Sequence, residues 1–211
     1  MDEGTRNGGN GLVRVKKAAL RAQYAGLTTE SEVEEMLARE LTRSGWAVHR
    51  QVHCHTSENK WRCCDMVVVG EPVLCSVSGW SSYSDSEQMV IGIEIKREYR
   101  ARDAAEAFMQ VRQYATSCVW STLERPRFPR PDWFLYTDGN LLVSDEKHLH
   151  LGAFNASLRE CGGSVLYRNG AGNLQFQVRH GEVREDKRGR KQVRASVSEM
   201  MLTRWQTWGQ P

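Results

Sequence analysis

Val90-Ile91-Gly92-Ile93-Glu94-Ile95-Lys96 is the stretch that decides how this chain reads. Ile91, Ile93 and Ile95 fill one face of a strand. Glu94 and Lys96 share the other, because successive strand side chains point to opposite sides. A core strand has no packing reason to set a carboxylate and an amine together at its C-terminal end. A second apolar stretch, Arg62-Cys63-Cys64-Asp65-Met66-Val67-Val68-Val69, carries a lone carboxylate. A metal site that must hold a hydrolytic water beside a phosphate supplies the missing reason: it needs hard oxygen ligands and a compact positive donor.

The composition permits this reading without pointing to it. A chain of 211 residues suits one sizeable core, and 40% apolar with 26% charged residues is ordinary for a soluble protein. No apolar run approaches a membrane span, and the N-terminal stretch lacks the apolar segment of a secretory signal, so a cytoplasmic location with no membrane partner is expected. The six cysteines, at 54, 63, 64, 75, 118 and 161, have no regular spacing and read as reduced thiols. His53, Cys54 and His55 ahead of Cys63, Cys64 and Cys75 raise zinc as an alternative, but the knuckle spacing of a structural zinc site is missing. The formal charge of +3 is unevenly spread. Between Arg179 and Arg194 seven basic residues face three acidic ones, a net of +4. That segment reads either as a solvated loop or as a phosphate-binding arm.

Along the chain, residues 1–11 read as a disordered N-terminus, 12–178 as the folded domain and 179–211 as a basic C-terminal extension. A short helix is expected around Val13–Tyr24. A firmer one starts at Thr28 or Thr29, where Thr29 and Glu32 form a capping box and Val33, Met36, Leu37 and Leu41 make an apolar stripe. Strands are expected at Trp46–Val52, Trp61–Val69, Val90–Lys96 and Trp133–Thr137, with a helix over Asp103–Val119. Asp138-Gly139-Asn140 reads as a turn into Leu141-Leu142-Val143. A helix near Leu149–Glu160 precedes a hairpin of Ser164–Arg168 with Asn173–Val178. The fold class is α/β (α+β), a central mixed sheet flanked by helices.

A helix with Glu, a strand with Asp65, a strand with Glu94-Ile95-Lys96 and a following helix together resemble the PD-(D/E)XK nuclease superfamily. The resemblance spans residues 28–137 and implies a single restriction-endonuclease-like domain. It departs at Cys64, where the motif has proline. Gln110-Val111-Arg112-Gln113-Tyr114 resembles the Q-h-x-x-Y motif of RecB-type nucleases. The opening helix and strand, Glu34 to Arg50, are similar to those of archaeal junction-resolving enzymes.

The resemblance implies a nuclease that uses Mg²⁺ or Mn²⁺ to hydrolyse DNA phosphodiester bonds, as an endonuclease or nickase. Asp65, Glu94 and the Ile95 carbonyl would hold the ion, and Lys96 the attacking water. Glu34 would be the catalytic helix acid, with Glu30 the alternative one turn earlier. Gln110 and Tyr114 would orient substrate or Lys96. Arg97, Arg100, Arg102, Arg112, Lys187, Arg188, Arg190 and Lys191 are the expected nucleic-acid contacts. DNA is the expected partner, and a homodimer or a partner protein is compatible with it. Some RecB-type relatives hold an iron–sulfur cluster. Only Cys118 and Cys161 follow the motif, so none is expected. The rival readings are a catalytically silent nucleic-acid-binding module of the same fold and an RNA-cleaving enzyme.

Overall fold

The computed structural model describes residues 27, 29–71, 73–75, 88–98, 101–143, 152–169, 172–185 and 191–203. The expected disordered segment 1–11 and the short helix at 13–24 lie outside them. The elements are α1 (Glu30–Arg43), β1 (Ala47–His55), β2 (Trp61–Gly70), β3 (Val73–Cys75), β4 (Met89–Lys96), α2 (Ala101–Ala115), β5 (Val119–Ser121) and β6 (Trp133–Asp138). They continue as α3 (Gly139–Val143), α4 (Gly152–Glu160), β7 (Gly163–Val165), β8 (Tyr167–Arg168), β9 (Leu174–Glu185) and β10 (Lys191–Met201).

Six strands form a central mixed sheet in the order β5-β1-β2-β4-β6-β7, and four form a second sheet in the order β3-β10-β9-β8. Strand β4 runs antiparallel to β2 and parallel to β6. Its isoleucines pack with Val33, Leu37 and Leu41 of α1 and with Phe176, Met200 and Leu202 from the second sheet. The opposite face of the central sheet packs against Ala107, Val111 and Tyr114 of α2 and Leu158 of α4. A strand covered on both sides stays apolar almost throughout, and β4 does so until Glu94. Gly92 is the point of closest approach, since a Cβ there would lie 2.9 Å from the Phe134 ring.

Helix α1 begins where the sequence says it must. The Thr29 hydroxyl accepts the Glu32 amide, and the Glu32 carboxylate accepts the Thr29 amide. Three other expectations change. The helix over Asp103–Val119 stops at Ala115, where the Thr116 and Ser117 hydroxyls bond back to the Gln113 carbonyl, and Val119–Ser121 joins the sheet edge beside β1. Leu141–Val143 is helical, because the Asp138 carboxylate caps the amides of Asn140 and Leu141. The stretch Ser164–Arg168 is divided between sheets: Gly163–Val165 pairs with β6, and only Tyr167 and Arg168 pair with β9. Among the described residues no helix is long and apolar enough to cross a membrane.

Arg168 ties these layers together. Its guanidinium takes Glu40 of α1 in a two-pronged pair, 2.7 Å at each contact, and also donates to the carbonyls of Leu142 and Gly172. With its side chain only 4% exposed, it cannot trade these partners for water. Arg168→Ala removes a buried guanidinium from a carboxylate and two carbonyls and is expected to cost about 3–5 kcal/mol. Urea unfolding with an unchanged m-value measures it. A loss below about 1 kcal/mol, the worth of a surface pair, would contradict the clamp.

Candidate active site

The site lies where the pairing of the central sheet is interrupted. Strands β2 and β4 are in register from Gly70↔Met89 to Met66↔Ile93, and the pairing ends there. The next residue of β2 is Asp65. Its Oδ2 accepts the Ile95 amide at 2.8 Å, so a side chain takes over a backbone donor where the ladder stops. The Cys64 thiol fills the gap beside it, 3.3 Å from the Met66 carbonyl and 3.6 Å from that of Ile93.

The same level is broken on the other side. Register between β1 and β2 runs through Arg50↔Met66 and resumes at Val52↔Cys64, omitting Gln51 opposite Asp65. Gln51 has φ 51°, a left-handed conformation that costs a non-glycine residue about 1 kcal/mol. Here both strands exchange faces. Val48, Met66 and Val68 pack on the α1 side, whereas Val52, Cys54 and Cys64 pack on the α2 side. Because the two strands turn over together, the register beyond the break is unchanged.

Four side chains converge at this break. Lys96 Nζ lies 2.7 Å from Glu94 Oε1 and 3.6 Å from Glu30 Oε1. The Tyr114 hydroxyl lies 2.9 Å from Glu94 Oε2 and 2.7 Å from the Cys63 carbonyl, with one proton to share between them. Trp120 and Phe134 hold the Tyr114 ring at centroid distances of 6.0 Å. Glu94 is 1% exposed and Tyr114 is buried.

Burial, and then the Glu94 charge, pushes the Asp65 carboxyl up from 3.8 to about 7. Burial also raises Glu94, against the opposing pull of Lys96. Burial alone would lower the Lys96 amine, but Glu94, Asp65 and Glu30 outweigh it and keep the amine protonated. Tyr114 is raised by burial and by Glu94, so its hydroxyl remains a donor. Among the described residues, Lys96 is the cation that faces the carboxyl groups of Asp65, Glu94 and Glu30, and the rise at Asp65 and Glu94 reflects that imbalance as well as burial.

That imbalance fits a divalent cation. Asp65, Glu94 and the Ile95 carbonyl are hard oxygen donors of the kind Mg²⁺ and Mn²⁺ prefer. Among the described residues no three His, Cys, Asp or Glu side chains converge as a ready-made metal cluster. An ion here would draw on two carboxylates and backbone rather than on a closed cage. Gln110, one turn before Tyr114, has a buried Oε1 without a hydrogen-bond partner among the described residues. A buried acceptor left open is unusual away from a ligand or water site.

The two helix acids are placed differently. Glu30 reaches Lys96, whereas Glu34, 6% exposed, is held by Arg50 and approached by Gln51 at 3.5 Å. Gln51 also accepts from the Cys63 thiol at 3.2 Å, which links Glu34 to the break without bringing it to Lys96. Of the expected nucleic-acid contacts, Arg97 and Arg112 are exposed. Arg102 lies in the first turn of α2, and Lys191 opens β10. Arg100, Lys187, Arg188 and Arg190 fall outside the described residues. The sequence reading missed Arg50, Gln51 and Cys63. Gln51 could not have been found, because nothing in its residue type announces a positive φ.

No family model matches the chain, and no curated protein matches it at a significant level. Among solved structures it is similar to NucC of P. aeruginosa ATCC27853 in its cAAA-bound form, with 11% identity, 91% of this chain and 85% of that chain covered, and a TM-score of 0.41. It is also similar to NucC of E. coli MS115-1 in its apo form, with 14% identity, 89% and 84% covered, and a TM-score of 0.39. A likeness at these TM-scores carries no argument, and the reading of the site rests on its own geometry.

The Asp65 proton has a consequence for stability. The folded chain holds it up to about pH 7, while the unfolded chain releases it near 3.8. The native state binds more protons across that window, so this group's contribution to stability falls as pH rises through it. Asp65→Asn keeps an acceptor for the Ile95 amide and removes the titration. In chelator, the variant is expected to resist urea better than the natural chain at pH 8, with the advantage shrinking toward pH 4. A difference that does not vary with pH would contradict the assignment.

Proposed function

We propose that this chain is a divalent-metal-dependent nuclease of the PD-(D/E)XK type, hydrolysing DNA phosphodiester bonds at the Asp65–Glu94–Lys96 site. The observation that carries the reading is the convergence of a half-buried carboxyl, Asp65, a buried one, Glu94, and the Lys96 amine where β2 parts from β4. A purely structural ion pair gives no reason for a second carboxyl raised to about 7 beside it.

When bound, Mg²⁺ or Mn²⁺ supplies charge neutralisation at the phosphate and acidifies water. The chain's own groups do the rest. Asp65 and Glu94 hold the ion with the Ile95 carbonyl, and the Tyr114 hydroxyl fixes Glu94 Oε2 so that its carboxylate cannot rotate away. Lys96, kept protonated by its neighbours, acts as a donor to the attacking water and to the phosphate oxygens and not as a base. Gln110 offers its open acceptor to substrate or to an ordered water. Glu30 is the helix acid that positions Lys96, and Glu34 steadies the strand break through Arg50 and Gln51.

DNA is the substrate this reading proposes, with Arg97, next to Lys96 in the chain, as an exposed cation at the end of the catalytic strand. The described part of the basic run, with Arg179, Arg184, Lys191 and Arg194, falls on β9 and β10, which pair in register from Lys191↔Glu185 to Met201↔Gln175. A two-stranded ribbon of this kind fits a phosphate backbone or a groove. The site itself touches only the phosphodiester, so sequence preference is not expected from it.

Supercoiled plasmid incubated with Mg²⁺ or Mn²⁺ is expected to become nicked, linear or degraded, and to stay intact in excess chelator. Asp65→Ala, Glu94→Ala and Lys96→Ala are each expected to slow cleavage by about 10²-fold or more, with Glu30→Ala more damaging than Glu34→Ala. Full activity in Asp65→Ala would remove the proposed site.

A further inference from the structure

Strand β2 continues past Asp65 to an exposed aromatic that neither the core nor the proposed chemistry explains. Trp61 begins the strand and is 59% exposed. It sits directly opposite His55 of β1, which in turn sits opposite Val119 of β5, itself 46% exposed. Residues in such a cross-strand row share one face of the sheet, so the three form a shelf. The His55 ring meets Trp61 edge-on, with centroids 5.0 Å apart and planes at 65°. That contact keeps the indole upright, and a flat ligand finds a surface already ordered.

The shelf and the candidate active site share strand β2. Trp61 and Cys63 are two apart on β2 and lie on one face, and the Cys63 thiol is bonded to Gln51 at the strand break. Asp65 lies four strand steps beyond Trp61, about 13 Å. Arg62 lies on the other face of the strand, where it donates to Gln113 at 3.0 Å, so the shelf itself is aromatic and apolar. An exposed aromatic face and a hydrolytic site on one strand are parts of a single-strand nucleic-acid track.

We infer that Trp61, supported by His55, is a stacking platform for an unpaired base next to the cleaved phosphodiester, and that the preferred substrate exposes single-stranded DNA there. The inference rests on the nuclease reading of the same site and adds a substrate class to it. A fully paired duplex keeps its base faces stacked on one another and has none to offer the indole. A single strand, a frayed end or a gap does. Base–aromatic stacking tolerates any base, so the platform selects strandedness and not sequence.

The test uses the full chain with Trp61→Ala and Trp61→Phe. Binding of a fluorescein-labelled single-stranded oligodeoxynucleotide is read by anisotropy in chelator. Cleavage of the same strand and of its blunt duplex is read with Mn²⁺. Trp61→Ala is expected to weaken oligonucleotide binding about 5- to 150-fold, and to lower the ratio of single-strand to duplex cleavage by a similar factor. Trp61→Phe, which keeps a ring face, is expected to recover most of both. Because Trp61 is exposed, loss of fold does not mask the result. A natural chain that cleaves DNA while Trp61→Ala binds and cleaves like it overturns the platform alone. Equal losses on single strand and duplex overturn it too. A changed oligomeric state with unchanged oligonucleotide affinity assigns the shelf to a second copy of the chain and likewise overturns it. A natural chain inactive on every DNA sinks the nuclease reading instead.

Discussion

The Asp65 carboxylate accepting the Ile95 amide is the contact on which the rest of the site depends. Without it, β2 and β4 would either continue their ladder or leave a buried amide unsatisfied. With it, the strands can part after Met66↔Ile93, and the opening makes room for the Glu94 and Lys96 side chains at the end of an otherwise apolar strand. The left-handed Gln51 makes the same concession on β1, and Cys64 packs into the space that results. A small local strain in one strand thus lets a well-packed sheet present charge at its centre.

The electrostatics follow from that opening. Glu94 is almost fully buried, which raises its carboxyl, and Lys96 and Tyr114, each bonded to one of its oxygens, oppose that rise. Burial, and then the Glu94 charge, drives the Asp65 carboxyl up to about 7 against the opposing pull of the Ile95 amide. The aromatic cluster of Tyr114, Trp120 and Phe134 keeps the Tyr114 hydroxyl on Glu94. The site is thus held in place by its surroundings.

Much of this could be read in the sequence because it rests on local patterns. Thr29 and Glu32 declare a capping box, the alternating isoleucines declare a core strand, and Gln110 and Tyr114 share a helix face by spacing alone. Other features depend on distant partners. Glu30 and Glu34 are one turn apart on the same face of α1, so no periodicity separates them, and Arg50 from the next strand engages Glu34 while Glu30 reaches Lys96. Leu141–Val143 has the composition of a strand, and only the Asp138 cap makes it helical. Ser164–Arg168 reads as one strand because propensity cannot show that Leu166 is where the chain leaves one sheet for the other.

The central claim is that Asp65 and Glu94 hold a divalent cation in company with the Ile95 carbonyl. Anomalous scattering from a crystal grown with Mn²⁺ tests it most directly. The expected result is a peak within coordination distance of all three, with Lys96 drawn away from Glu94 Oε1 and toward solvent. An ion bound elsewhere, or no peak at millimolar Mn²⁺ with the 2.7 Å contact between Lys96 and Glu94 intact, would contradict the account.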